Sequence, residues 1–183
     1  MRIVGGKFKG RRFEPPRNNP ARPTTGIAKE ALFNIINNYF NFDQIAYLDL
    51  FGGTGSLSFE MGSRECRDIT LVERFQPNVA FIRHTAEILD VSINIVKGDV
   101  YHFIETAAKH RYDIIFAGPP YADPKLESLP DLILKNELLT EVGWFILEHS
   151  PRHRFNEHAH LFQTRHYGQT NFSIFTYETK PES

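Results

Sequence analysis

From residue 46 onward, apolar residues gather in short runs of strand length, and between the runs they recur every three or four positions, as on one face of a helix. The runs are Ala46 to Phe51, Ile69 to Glu73, Ser92 to Lys97, Tyr112 to Ala117 and Gly143 to His149; the helical stretches include Pro77 to Leu89 and Tyr101 to Lys109. Strands that are apolar at almost every position, alternating with helices, predict a parallel sheet covered on both faces. The end of the chain breaks the rhythm. Leu161 to Tyr167 and Phe172 to Tyr177 are separated by a short GQTN link with Gly168 and Asn171 as turn formers. There is no room for a crossover helix, so an antiparallel hairpin is expected to finish the sheet.

Ahead of the sheet, Ile27, Ala28, Ala31, Leu32, Ile35, Ile36 and Tyr39 fall at helical spacing behind Thr24 and Thr25, both good N-cap residues. A bridge with Pro15, Pro16, Pro20 and Pro23 precedes them, and before it glycines mixed with Ile3, Val4, Phe8 and Phe13 predict an ordered hairpin. The expected organisation is one domain over 1–183, with 1–40 as a basic hairpin-and-helix extension and 41–183 as an α/β core. At 183 residues the chain suits one buried core.

Charge sharpens that division. The net charge of -1 conceals eight basic side chains in the first 29 residues (Arg2, Lys7, Lys9, Arg11, Arg12, Arg17, Arg22, Lys29) against the single acid Glu14. The remainder is acidic on balance. Cations so crowded repel one another unless a polyanion accepts them, which points to nucleic acid. The sequence has no long apolar run for a membrane span and no apolar signal core after MRIVGGKFKGRRF, so a cytoplasmic protein without membrane contact is expected. The lone Cys66 reads as a small buried hydrophobe. His149, His153, His158, His160 and His166 have no helical metal-pair spacing, and no metal site is expected.

Ligands of open α/β sheets sit beyond the carboxyl ends of the strands, and four consecutive strands here end in chemistry. LDLFGGTGS (48–56) offers Gly52, Gly53 and Gly55 for tight turning and close backbone approach. Asp49, a carboxylate inside an apolar run, needs a partner, either the loop's amides or a ligand amine. The second strand ends at Glu73, placed to accept from both hydroxyls of a ribose. Asp99 follows the third strand, to cap a helix or to accept from an adenine amine. GPPY follows the fourth: prolines fix the backbone and free the carbonyls of Gly118 and Pro119, and Tyr121 offers a ring for stacking on a base.

These blocks in this order resemble class I S-adenosylmethionine-dependent methyltransferases that modify exocyclic amines of bases. MRIVGGKFKGRRF, RPTTGIAKEALFNII, LDLFGGTGSLSFE, the LVE strand end, DIIFAGPPY and YGQTNFSIF are similar to segments of the RsmD-type family, which methylates a guanine N2 of 16S rRNA in the small ribosomal subunit. The resemblance implies a seven-stranded, mostly parallel Rossmann-like sheet and S-adenosylmethionine as methyl donor; a monomer is expected. By position, Asp49, Phe51, Gly52, Gly53 and Gly55 would lie near the methionine moiety, Glu73 at the ribose, and Asp99 with Val100 at the adenine. Gly118, Pro119, Pro120 and Tyr121 fall on the family's D/N-P-P-Y/F catalytic motif. Arg2, Lys7, Lys9, Arg11, Arg12, Arg22 and Thr24 would contact rRNA.

The departure is Gly118, which has no side-chain acceptor where the family has Asp or Asn; Asp123 is the nearby stand-in that the sequence offers. A relative that binds rRNA and cofactor without catalysing is therefore the alternative. A nicotinamide oxidoreductase is the rival from another class, disfavoured because the loop is GGTG rather than GxGxxG and GPPY has no role in hydride transfer.

Overall fold

The computed structural model describes residues 1–20 and 24–179. Its seven strands form one sheet, in the order β3-β2-β1-β4-β5-β7-β6. The strands are β1 Ala46–Leu50, β2 Asp68–Glu73, β3 Asn94–Lys97, β4 Tyr112–Ala117, β5 Leu139–His149, β6 Leu161–Tyr167 and β7 Thr170–Phe175; the helices are α1 Gly26–Asn37, α2 Ser56–Ser63, α3 Gln76–Leu89, α4 Val100–Thr106 and α5 Leu129–Lys135. Strands β1 to β5 run parallel, and β7 pairs antiparallel with both β5 and β6.

Every residue of β1 is buried, because helices cover both sides of the sheet. Alternate strand residues divide between two cores. Tyr47, Ile69, Leu71, Ile114, Phe116 and Ile146 pack with α1, α2 and α3 on one face. Leu48, Leu50, Val72, Ile115, Phe145 and Leu147 pack with α4 and α5 on the other. The strand order reverses between β1 and β4, so the segments leaving those two strands diverge around a crevice, the topological switch point at which such sheets bind ligands.

Several boundaries differ from expectation: β1 ends at Leu50, α4 spans Val100–Thr106 and β7 ends at Phe175, and three further differences have a clear physical reason. The third strand is shorter, at Asn94–Lys97, because it is the sheet edge and its two ends are exposed. The fifth is longer, beginning at Leu139, where exposed Glu141 and Val142 extend a strand that becomes fully buried only from Gly143. The hairpin turn is tighter than GQTN: Tyr167 pairs with Thr170 around Gly168 (φ 61°), and Asn171 is already inside β7.

The N-terminal arm doubles back with one bridge, Arg2 opposite Arg12, and backbone bonds from Ile3 to Arg11, Gly10 to Ile3 and Phe13 to Met1. It is held from below by α2. The Ser63 carbonyl and hydroxyl accept from the amides of Lys7 and Phe8, and that hydroxyl donates to the Gly5 carbonyl. The approach is so close that a Cβ on Gly6, which has φ +70°, would lie 2.0 Å from the Ser63 carbonyl oxygen. Buried Glu60 fastens the arm further: its carboxylate accepts from the Val4 and Gly5 amides, and it pairs with Lys29 Nζ at 3.0 Å and with Arg64. Lys29, one of the eight basic residues counted in the first 29, is 2% exposed and also donates to the Arg2 carbonyl and Ser56 Oγ. It faces inward because Lys29 and buried Phe33 share one face of α1 at i,i+4 spacing.

Candidate active site

Gly52 and its neighbours leave β1 in a strained turn. Phe51 has φ 62°, a left-handed conformation that costs a non-glycine residue energy and is characteristic of functional sites, and Gly53 and Gly55 are left-handed too. Gly55 is the N-cap of α2, and no side chain caps that helix start. A Cβ on Gly52 would meet Leu71 Cγ at 2.5 Å, so the glycine is matched to a leucine on β2.

Two carboxylates hold the loop. Glu73, 8% exposed at the end of β2, accepts from the Gly53 amide and from the Phe75 amide, each at 2.7 Å. It thus pins the loop while each oxygen keeps a further lone pair. Asp49 is 2% exposed and accepts from Ser58 Oγ at 2.6 Å. Burial raises its pKa to about 7, with the Ser58 hydrogen bonds opposing the rise and the charge of Glu73 adding to it. Between the two options left open by sequence, Asp49 reaches α2 through Ser58, not the glycine amides.

Asp99 caps α4: its Oδ1 accepts from the Tyr101 and His102 amides, while Val100 beside it is buried. Phe51 packs its ring edge-on to Tyr101 (centroids 6.1 Å apart), which ties the β1 loop to the start of α4. Tyr101 Oη in turn donates to Asp123 Oδ2, whose other oxygen accepts from the Lys125 amide. Asp123 is therefore committed to α4 and its own turn, away from residue 118.

The GPPY segment leaves β4 beside the β1 loop, with Pro119 buried and Pro120 exposed. Gly118 does not have a left-handed φ, so the turn itself does not demand glycine. A Cβ there would sit 3.1 Å from Phe116 Cε1 and 3.9 Å from Glu148 Oε2. Glu148, unremarked at the sequence level, is 5% exposed near the end of β5 and accepts from Thr24 Oγ1 at 2.6 Å; a longer bond, 3.4 Å, comes from Tyr121 Oη. The signal was present: like Asp49, it is a carboxylate inside an apolar strand. Thr24, expected on the RNA side, directs its hydroxyl inward to this acid.

Arg2, Lys7, Lys9, Arg11 and Arg12 are all exposed; Arg22 lies outside the described residues. Cys66 is buried and its thiol is pushed up to about 11 by that burial, so it stays protonated and inert at neutral pH. The late histidines have structural partners: His149 with Ser173, His166 with Asn171, His153 with Glu127 and His158 with Asp131. No helix among the described residues is long and apolar enough to cross a membrane.

Comparison with known proteins decides the family. The family described as conserved hypothetical protein 95 matches residues 1–176. A Bacillus subtilis protein named "Putative rRNA methyltransferase YlbH" is 32% identical over 182 residues, covering 96% of this chain and 98% of its own. The chain belongs to the RsmD-type rRNA methyltransferase family. The Escherichia coli relative named ribosomal RNA small subunit methyltransferase D is 28% identical over 81% of this chain and 74% of its own. A solved structure of a hypothetical protein from Thermus thermophilus superposes with a TM-score of 0.83 at 24% identity, covering 96% of this chain and 99% of that one, and shares its fold. Within this RsmD-type framework the sheet expected from sequence, parallel with an antiparallel end, is the one observed.

Proposed function

We propose that the chain transfers a methyl group from S-adenosylmethionine to the N2 amine of a guanine in 16S rRNA. The observation that carries this is the adjacency, across the β1/β4 switch point, of a backbone-only glycine loop anchored by Glu73 and a GPPY turn presenting Tyr121. The residues fit the cofactor: the loop keeps side chains out of a cradle beside the uncapped start of α2, and buried Glu73 has lone pairs left for ribose hydroxyls. Asp49, Phe51, Gly52, Gly53 and Gly55 would line the methionine end, with Asp99 and Val100 at the adenine. When bound, S-adenosylmethionine supplies an electrophilic methyl on a cationic sulfur that leaves neutral.

The protein's task is then positional. A guanine must leave its stack to reach a site at a strand end, and Tyr121 would hold its ring. The aromatic amine is a weak nucleophile because its lone pair is spread into the ring. Acceptors placed around its N–H groups favour the localised form as the new bond grows. The Pro119 carbonyl is one such acceptor. Arg2, Lys7, Lys9, Arg11, Arg12 and Arg22 would grip rRNA phosphates, the protein acting as a cytoplasmic monomer.

The test is incubation with labelled S-adenosylmethionine and small subunits, or free 16S rRNA, from cells lacking the modification, with the product nucleoside identified by mass spectrometry. Label in N2-methylguanosine is expected. Calorimetry supplies the control: heat with NAD and none with S-adenosylmethionine would replace this reading by the oxidoreductase. The reading in which catalysis is lost is favoured by one observation, the absence of a side chain on Gly118, and predicts cofactor binding without transfer.

A further inference from the structure

We propose that Glu148 is the side-chain acceptor for the guanine amine that Gly118 lacks, a role that rests on the methyl-transfer reading above. β4 and β5 run parallel with Ala117 opposite Leu147, so residue 118 and Glu148 are the next positions along two neighbouring strands. A side chain on residue 118 would begin 3.9 Å from Glu148 Oε2, which puts this carboxylate next to the space an aspartate's would occupy. Burying a carboxylate at the end of a strand is costly without donors. Here one donor is Tyr121, the residue assigned to the base, and another is Thr24, which follows the basic arm. Asp123, the other acid in this turn, is held by Tyr101 and Lys125 and points elsewhere.

In the step this supports, the guanine N2 lone pair forms the N–C bond, and the S–C pair returns to sulfur to give the neutral thioether. The methylated amine then carries one proton too many, which passes to the Glu148 carboxylate and on to solvent. Glu148 accepts one N–H and the Pro119 carbonyl the other.

The experiment measures transfer from labelled S-adenosylmethionine to unmodified small subunits by the parent chain, Glu148→Met, Glu148→Gln, Gly118→Asp, and the double variant Glu148→Met with Gly118→Asp. The Bacillus subtilis relative on the same substrate is the control enzyme, and calorimetric cofactor binding with thermal unfolding reports folding. Glu148→Met is expected to lower kcat by about a hundredfold or more, the usual loss for one positioned transition-state hydrogen bond, with cofactor affinity unchanged. Glu148→Gln, which keeps an acceptor oxygen, retains most of the rate. The double variant regains it, because the Asp carboxylate fills the vacated position once the Phe116 ring yields by a few tenths of an ångström. Parent-like transfer by Glu148→Met overturns the proposal, as does loss that Gly118→Asp fails to restore, since a merely structural acid would behave that way. If the parent is inactive while Gly118→Asp transfers, the methyl-transfer reading stands and the role of Glu148 falls. If no form transfers where the control enzyme does, the reading itself fails and takes this proposal with it.

Discussion

Replacing Glu60 by alanine tests how the basic arm is attached. Its carboxylate is fully buried and receives four donors: Arg64 Nη1, Lys29 Nζ at 3.0 Å, and the amides of Val4 at 2.5 Å and Gly5 at 3.3 Å. Arg64 is partly exposed and can turn to water. Lys29 cannot. Burial lowers its pKa and Glu60 offsets part of that, so without Glu60 the ammonium is penalised further and is left with the Arg2 carbonyl and Ser56 Oγ. Removing one partner of such a pair typically costs ~3–5 kcal/mol, a large part of the ~5–15 kcal/mol by which domains are stable. Urea unfolding followed through Trp144, the single tryptophan, packed between Tyr39 and Phe40, reads the loss as a lower midpoint at unchanged slope. Amide exchange should lose protection at Val4 and Gly5 in the same variant. Glu60→Leu with Lys29→Met, which removes both charges, is expected to cost much less than the sum of the single changes. A cost for Glu60→Ala below about 1 kcal/mol, the range of exposed ion pairs, or unchanged protection at Val4 and Gly5, would refute this account.

Gly52→Ala should destabilise by ~1–3 kcal/mol, as overpacking does, because its Cβ would meet Leu71 Cγ at 2.5 Å; combined with Leu71→Ala it should cost less in thermal unfolding than the sum of the two single changes. Asp49, with its pKa raised to about 7 by burial, holds its proton in the folded chain over a range where the unfolded chain, near 3.8, has lost it. Its contribution to stability therefore falls as pH rises from about 4 to about 7, by up to ~4 kcal/mol. Asp49→Asn should flatten that slope in denaturant titrations at several pH values, and an unchanged slope would place the titration elsewhere. Changing exposed Arg2, Lys7, Arg11 and Arg12 to Gln should leave the melting temperature near that of the parent and reduce the salt dependence of rRNA binding by roughly one unit of slope for each phosphate no longer neutralised. A salt slope equal to the parent's would detach the arm from RNA binding.

How much of this was legible in the sequence depended on whether a residue's environment is set locally. β1, β2 and β4 are buried on both faces and so wrote themselves as continuous apolar runs. The start of β5 did not, because polar Thr140 and Glu141 occupy a part of the strand not yet covered by helices. Two-turn α5 was missed for want of length: Leu129–Lys135 is too short to show a period, and Pro130 resembles a breaker although it sits in the first turn, where it is tolerated. Asp49 was found by asking what a carboxylate does among apolar neighbours. The same question put to Glu60 in SLSFEMGS and Glu148 in GWFILEH would have marked both as buried and partnered. Apart from Arg64, four residues after Glu60, the side-chain partners named for them are distant in sequence, Lys29 for Glu60 and, 124 residues away, Thr24 for Glu148, and only the fold brings them together.

Those two acids explain why arm and sheet cannot be separated mechanically. Glu60 binds the underside of the arm through Val4, Gly5 and, by way of Lys29, the carbonyl of Arg2, while the cations of the same turn point outward. Glu148 binds Thr24, just before α1, and on its other oxygen touches Tyr121 of the GPPY turn. α1 then enters the core through Ala28, Leu32, Phe33 and Ile36. In the proposed reading, a polyanion along the exposed cations would be placed by a segment fixed to the sheet at two points, one through α2 behind the glycine loop and the other beside residue 118. The geometry that holds the arm down is the geometry that sets where an RNA strand would meet the strand ends. Loosening Glu60 should therefore misplace substrate as well as weaken the fold.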